Sequence, residues 1–243
     1  MFRSRDNVAM TQASYVLLPK DGPPDLLFVL LHGAGADGEQ MRPLAEALHR
    51  QYPRAALVLP NGFQPFDAIP GGGAGFQWFS EEGDEALRAL RLTAAVPPLV
   101  ALIRQWAVKL ELSWERVALG GFSQGAMLAL EALQQEEALA GRVLAFAGSY
   151  AYWPQHAPQD VCIHLLHGKD DPELPYPPLL DAAKELMSLG ADITADVLPH
   201  VGHELHPQLI ERAMEQLRTF IPARLWREAV LTAAEQDKTE PRH

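Results

Sequence analysis

Five residues, Gly121-Phe122-Ser123-Gln124-Gly125, limit what this chain can become more than any other stretch. They follow the apolar run Val117-Ala118-Leu119 and open into an Ala/Leu/Met-rich segment of helical character. A G-x-S-x-G between strand and helix is the pattern of a sharp elbow that holds a serine at a strained turn with its hydroxyl exposed. The glycines have a steric reason. A side chain two residues before or after the serine would collide with neighbouring strands or with the turn, and glycine tolerates unusual backbone angles. The plainer alternative is an ordinary glycine-bordered turn; the strand-like run before and the helical run after favour the elbow.

The rest of the chain supplies the surroundings an elbow needs. Residues 13–18 read as a weak strand and 26–31 as a continuous apolar strand covered on both faces; the two are expected to form an antiparallel edge pair. A small-residue loop, His32-Gly33-Ala34-Gly35-Ala36-Asp37-Gly38, follows at once. A helix is expected from about 39 to 51, with Met41, Leu44, Ala45 and Leu48 along one face. Residues 55–59 are another buried strand. Residues 60–83 hold glycine, proline and aromatics without a period, and loops this long in a compact domain are usually functional or mobile. Helices are expected over 85–92 and 97–112, the second opened by Pro97. Then come a strand at 114–119, the elbow helix to about 136, a strand at 142–147, an aromatic loop at 148–154, a strand at 161–166, a helix at 177–189, a strand at 193–198 and a helix from about 206 to 220. Strand and helix alternate with no internal repeat. That predicts one α/β domain over residues 1–222: a doubly wound, mostly parallel sheet of about seven strands with an antiparallel edge strand and no separate lid domain. Residues 223–243 read as a C-terminal extension, partly helical around Leu225, Trp226 and Val230 and then frayed.

Composition narrows the class. The 243 residues suit one such domain, and a formal charge of −11 argues against nucleic acid or an anionic membrane surface as a partner. The single cysteine, Cys162, permits no intrachain disulfide and reads as a small core hydrophobe. No signal peptide and no stretch of roughly 18 apolar residues is evident, so the expectation is a cytoplasmic protein, monomer or homodimer, outside the membrane.

A serine hydroxyl is a weak nucleophile. It needs a base, an acid to orient the base, and donors for the oxyanion. Ligands of open α/β sheets bind beyond the carboxyl ends of the strands, and candidates for each role lie there. The acid candidates after the strand at 161–166 are Asp171 and its rival Asp170; Pro172 keeps residue 171 out of the helical region and favours it. The base candidates after the last strand are His203, with Gly202 before it, and the competitors His200 and His206. Ser123, Asp171, His203 is the chain order this elbow fold uses. The oxyanion donors are expected to be the backbone N–H groups of Gln124 and Ala34. His164 and His167, three apart across a strand end, read as a core or rim residue and a loop residue, and no metal or cofactor is expected.

The elbow, the Leu31-to-Asp37 loop, Gln77-Trp78-Phe79, His167-Gly168…Asp171-Pro172 and Gly202-His203 together resemble the phospholipase/carboxylesterase family of α/β-hydrolases, which includes acyl-protein thioesterases and small bacterial carboxylesterases. The resemblance spans roughly residues 26–220 and is nearest to the bacterial esterases. It implies a Ser123–Asp171–His203 triad, oxyanion donors at Ala34 and Gln124, Trp78 helping to shape an acyl pocket, and hydrolysis of small-molecule carboxylic esters or thioesters without a cofactor. Short- to medium-chain acyl esters are the leading expectation, acyl-protein thioesterase or lysophospholipase-type deacylation the alternative. Ala34 stands where the family often carries a larger Leu or Val. A non-catalytic binding protein on the same fold would be marked by a missing triad member, and a peptidase of the same superfamily by an extra domain; neither mark is present.

Overall fold

In the computed structural model, residues 15–67 and 75–222 are described. Six apolar residues, Leu26–Leu31, form strand β2. Leu27, Val29 and Leu31 enter one apolar layer while Phe28 and Leu30 enter the other. A strand apolar on both faces needs cover on both, which puts it inside the sheet. It runs parallel to β3 (Ala55–Leu59) on one side and to β6 (Val117–Phe122) on the other. Each of these fully buried aliphatic side chains contributes roughly 1.5–3 kcal/mol of transfer free energy.

The remaining strands of the sheet are β1 (Tyr15–Leu17), β7 (Arg142–Phe146), β8 (Cys162–Gly168) and β9 (Asp192–Leu198), and the seven lie in the order β1-β3-β2-β6-β7-β8-β9. All neighbours are parallel except β1, which runs antiparallel to β3. The antiparallel edge strand is present as expected, but its partner is β3 rather than β2. β2 is already flanked by two parallel strands, so β1 lies on the outer side of β3 and the 18–25 connection carries the chain past β3 to β2. A separate two-residue ribbon, β4 (Gln64–Pro65) with β5 (Phe76–Gln77), organises the described part of the long loop.

Helices cover both faces. α1 (Arg42–Gln51) and α5 (Pro207–Thr219) pack on one through Leu44, Leu48, Leu209 and Ala213. α2 (Glu85–Lys109), α3 (Gln124–Gln135) and α4 (Pro177–Ser188) pack on the other. α1 is shorter than expected because its first turn, Gly38–Met41, is a 3-10 turn capped by the Asp37 carboxylate, which accepts from the Glu39 N–H. Trp114–Arg116 is likewise a 3-10 turn leading into β6.

The two helices expected over 85–92 and 97–112 are one helix of 25 residues running through Pro97 and Pro98. Each proline removes a helical hydrogen bond. Both prolines are exposed, and the core face of Leu92, Ala95, Val96, Leu99, Ile103 and Trp106 holds the helix on the sheet across them. By length and composition alone the merged helix could cross a membrane, with a mean hydropathy of 1.6 over 18 residues, although Thr93, Arg104, Gln105 and Lys109 break any run of that many apolar residues. Here that apolar character serves the interior layer. The glycine run at 71–73 and the 223–243 segment, including Leu225, Trp226 and Val230, lie outside the described residues.

Candidate active site

Ser123 is the junction between β6 and α3, at φ 51° and ψ −119°. This conformation is costly for a residue with a side chain and persists only where the surroundings enforce it. The enforcement is visible. A Cβ on Gly121 would lie 2.5 Å from the Ala126 nitrogen, and one on Gly125 would strike the carbonyl oxygen of Leu31 and come within 2.6 Å of that of His32. Glycine at both positions lets α3 start directly over the end of β2, so the loop after β2 and the elbow share one site. The Ser123 N–H donates to the Phe146 carbonyl at 2.9 Å, anchoring the turn to β7.

β8 and β9 bring the partners. They are neighbours, with Gly168 opposite Leu198, so the loops that leave their carboxyl ends emerge side by side. A Cβ on Gly168 would strike the Val201 carbonyl and lie 2.5 Å from that of Gly202, and the Asp170 N–H donates to the Val201 carbonyl at 3.0 Å. Asp171 Oδ2 lies 2.8 Å from His203 Nδ1, and His203 Nε2 lies 2.9 Å from Ser123 Oγ. A carboxylate only accepts, so Nδ1 carries the proton and Nε2 accepts from the serine hydroxyl. The rivals sit elsewhere. Asp170 is exposed and accepts the His200 N–H at 3.1 Å, the His200 side chain is 93% exposed, and His206 caps α5 by accepting from the Gln208 N–H.

Asp171 is buried, which by itself raises its pKa. The N–H of Leu174, the His203 ring and the N–H of Glu173 all hydrogen-bond it and together hold its carboxyl below the ordinary 3.8. Beside it lies His167, fully buried, with Nε2 2.7 Å from the Leu174 carbonyl and 3.3 Å from Asp171 Oδ2. Burial is the main force pushing His167 below 6.5, so the ring stays neutral and donates to that carbonyl. Asp171 is thus fixed from two sides.

The loop after β2 is fixed as tightly. The Gly62 N–H donates to His32 Nε2 at 2.8 Å, so His32 Nδ1–H donates to the Gly33 carbonyl at 2.7 Å. Burial lowers the pKa of His32 and keeps it neutral. The Gly33 N–H donates to Gln40 Oε1, and the Gly35 N–H to the Phe76 carbonyl. Among the described residues no partner is found for the N–H groups of Ala34 or Gln124. Gln124 directly follows Ser123 at the start of α3, and Ala34 lies in the loop after β2, whose first residues pack against Gly125. The α3 N-terminus adds its positive end to these N–H groups.

Gln124 does more than its backbone position implies. Its fully buried amide accepts the Trp78 N–H at 2.7 Å and donates to the Phe79 carbonyl at 3.0 Å and to Glu81 Oε1 at 2.8 Å. Trp78 is 1% exposed. Its indole N–H donates to the His32 carbonyl, and its ring packs against His32 and edge-on against Phe63. It also backs a concavity of about 410 Å³ between the 63–82 loop and α2. Neither that concavity nor another of about 450 Å³ beside α5 has Ser123 in its lining. Among the described residues no cluster of three or more His, Cys, Asp or Glu side chains is placed to hold a metal. Reading the sequence alone missed the roles of His32, Gln40, the Gln124 side chain, His167 and Glu173; of these His32, Gln124 and His167 sat inside motifs that drew attention, while Gln40 and Glu173 did not.

Three comparisons bear on this arrangement. A family model described as phospholipase/carboxylesterase matches residues 13–223. The esterase YpfH of Escherichia coli (strain K12) is 34% identical over 222 residues, covering 91% of this chain and 94% of that protein. An acyl-protein thioesterase 1 of Eremothecium gossypii is 26% identical over 219 residues, covering 83% and 90%. Among solved structures, esterase PE8 superposes with a TM-score of 0.75 at 27% identity, covering 85% of this chain and 97% of that one.

Proposed function

The chain belongs to the phospholipase/carboxylesterase family of α/β-hydrolases and is a carboxylesterase-type hydrolase; from that premise we propose that Ser123, His203 and Asp171 are its catalytic triad and cleave carboxylic esters through an acyl-enzyme. The observation that carries this reading is the unbroken chain from Asp171 through His203 to Ser123 at 2.8 and 2.9 Å. Ser123 Oγ attacks the acyl carbonyl as His203 Nε2 takes its proton. Asp171 holds the imidazole in the required tautomer and stabilises its charged form. The oxyanion accepts from the N–H groups of Ala34 and Gln124, which such donors support by roughly 3–4 kcal/mol each. His203 then gives the proton to the leaving oxygen, and water, deprotonated by the same histidine, releases the acid.

Short- to medium-chain acyl esters are the proposed substrates, with no cofactor. Trp78, being buried, shapes the acyl side from behind by fixing Phe63 and the loop backbone. A second reading, acyl-protein thioesterase or lysophospholipase-type deacylation, draws on the thioesterase relative and on the half-exposed Tyr152 and Trp153 beyond β7, which offer an apolar surface to a longer chain. The same proposal keeps residues 1–222 as one catalytic domain acting in the cytoplasm, with 223–243 as an extension.

A rate profile over p-nitrophenyl esters from acetate to palmitate, with Ser123→Ala as the blank, tests both. A short-chain peak supports the first reading and a long-chain peak the second. Turnover by Ser123→Ala equal to the wild type overturns the triad.

A further inference from the structure

The proposed mechanism fixes where the leaving group must lie, and this inference rests on it. His203 Nε2 hands its proton to the leaving oxygen, so the alcohol or thiol portion of the substrate passes beside Nε2. A carboxylate is already there. Glu173 Oε2 lies 3.6 Å from His203 Nε2.

Glu173 is placed by the turn that positions the acid. Its backbone N–H donates to Asp171 Oδ1 at 2.9 Å, and the next N–H, from Leu174, donates to the same oxygen. The side chain of Glu173 is 68% exposed while that of His203 is 9% exposed. The charge therefore stands at the mouth of the site, with the ring beneath it. The other carboxylate near the elbow, Glu81, is engaged by the Gln124 amide. Glu173 has His203 as its one ion-pair contact among the described residues, and no lysine or arginine neutralises it there.

We propose that Glu173 is a specificity-determining residue that selects esters whose leaving group carries a positive charge near the scissile bond, a quaternary or protonated amine, over neutral isosteres, and disfavours leaving groups bearing phosphate or carboxylate. An amine nitrogen two carbons from the leaving oxygen comes within reach of Oε2. Two exposed charges at such a separation interact weakly in water, which sets the expected discrimination at about fivefold at low ionic strength. Salt reduces it.

The test compares kcat/KM for choline butanoate with that for 3,3-dimethylbutyl butanoate, which has the same shape without the charge. The ratio of the two cancels any effect of Glu173 on the His203 base itself. It is measured in the wild type, Glu173→Gln, Glu173→Lys and Glu137→Gln, with Ser123→Ala as the blank. Glu137 is exposed just beyond the far end of α3 and controls for loss of one negative charge anywhere. Taken relative to the wild type, which removes the intrinsic difference in reactivity between the two esters, the ratio is expected to be unchanged in Glu137→Gln, about fivefold lower in Glu173→Gln and lower still in Glu173→Lys. Turnover with the same ratio in all four proteins overturns the role of Glu173 while leaving the triad intact. No turnover of either ester above the blank overturns the reading of Ser123, and this inference with it.

Discussion

Acidification should unfold this protein partly through one residue remote from the chemistry. His164 lies on β8, fully buried, with Nδ1 2.9 Å from Thr194 Oγ1 on β9 and its ring edge-on to Phe220 at 5.2 Å. Its Nε2 is buried without a partner. Burial foremost, and then the charge of Arg142, push its pKa from 6.5 to about 3. The sign follows directly. In the folded state the ring stays neutral down to about pH 3, whereas in the unfolded chain it takes up a proton below 6.5. Its contribution is fully present above 6.5 and is lost as the pH falls toward 3. At pH 5, about 1.5 pH units below the unfolded value and at roughly 1.4 kcal/mol per unit, the loss is about 2 kcal/mol; at pH 4 it is about 3 kcal/mol. His164→Leu removes the titrating group. Urea unfolding of both proteins at intervals from pH 7.5 to 4 gives stability against pH. The variant should start lower, by about 1 kcal/mol for the unpaired Thr194 hydroxyl, and should then fall less steeply by the amounts above. His32 and His167, whose pKa values are also lowered, are common to both proteins and cancel in the difference. Parallel curves across that interval would refute the assignment.

Two further outcomes follow from the site. Asp171→Asn should keep the fold but present the wrong hydrogen-bond partner to His203 Nδ1, lowering kcat about 10⁴-fold in a p-nitrophenyl ester assay; a loss under about tenfold would deny Asp171 its role. Gly125→Ala forces a Cβ against the carbonyls of Leu31, the last residue of central strand β2, and of His32 just after it; a destabilisation of about 3 kcal/mol is expected, and an unchanged urea midpoint would contradict the crowding described.

Much of the architecture was legible before any coordinates. Strands buried on both faces announce themselves as short apolar runs, and 26–31, 55–59 and 161–166 all became interior strands. The elbow was legible because steric demands at Gly121 and Gly125 leave a local signature. The edge pairing of β1 and the continuity of α2 were not. Pairing partners depend on which strand edges remain free, and helix continuity across Pro97 and Pro98 depends on a core face that outweighs two missing hydrogen bonds.

At the site the division is sharper. The sequence by itself determined that a serine would stand at a strained turn, and it supplied acid and base candidates past later strands. It left Asp170 beside Asp171, and His200 and His206 beside His203. Only the tertiary structure places Asp171 and His203, and not their neighbours, in one hydrogen-bonded line with Ser123, because that contact depends on β6, β8 and β9 ending at one edge and on two loops packing across Gly168. Residues that act through such contacts, His167 under Asp171, the Gln124 amide on Trp78 and Glu173 beside His203, have no local pattern. Their meaning lies in distances between segments far apart in the chain, and spacing along a sequence does not encode those distances until the sheet is assembled.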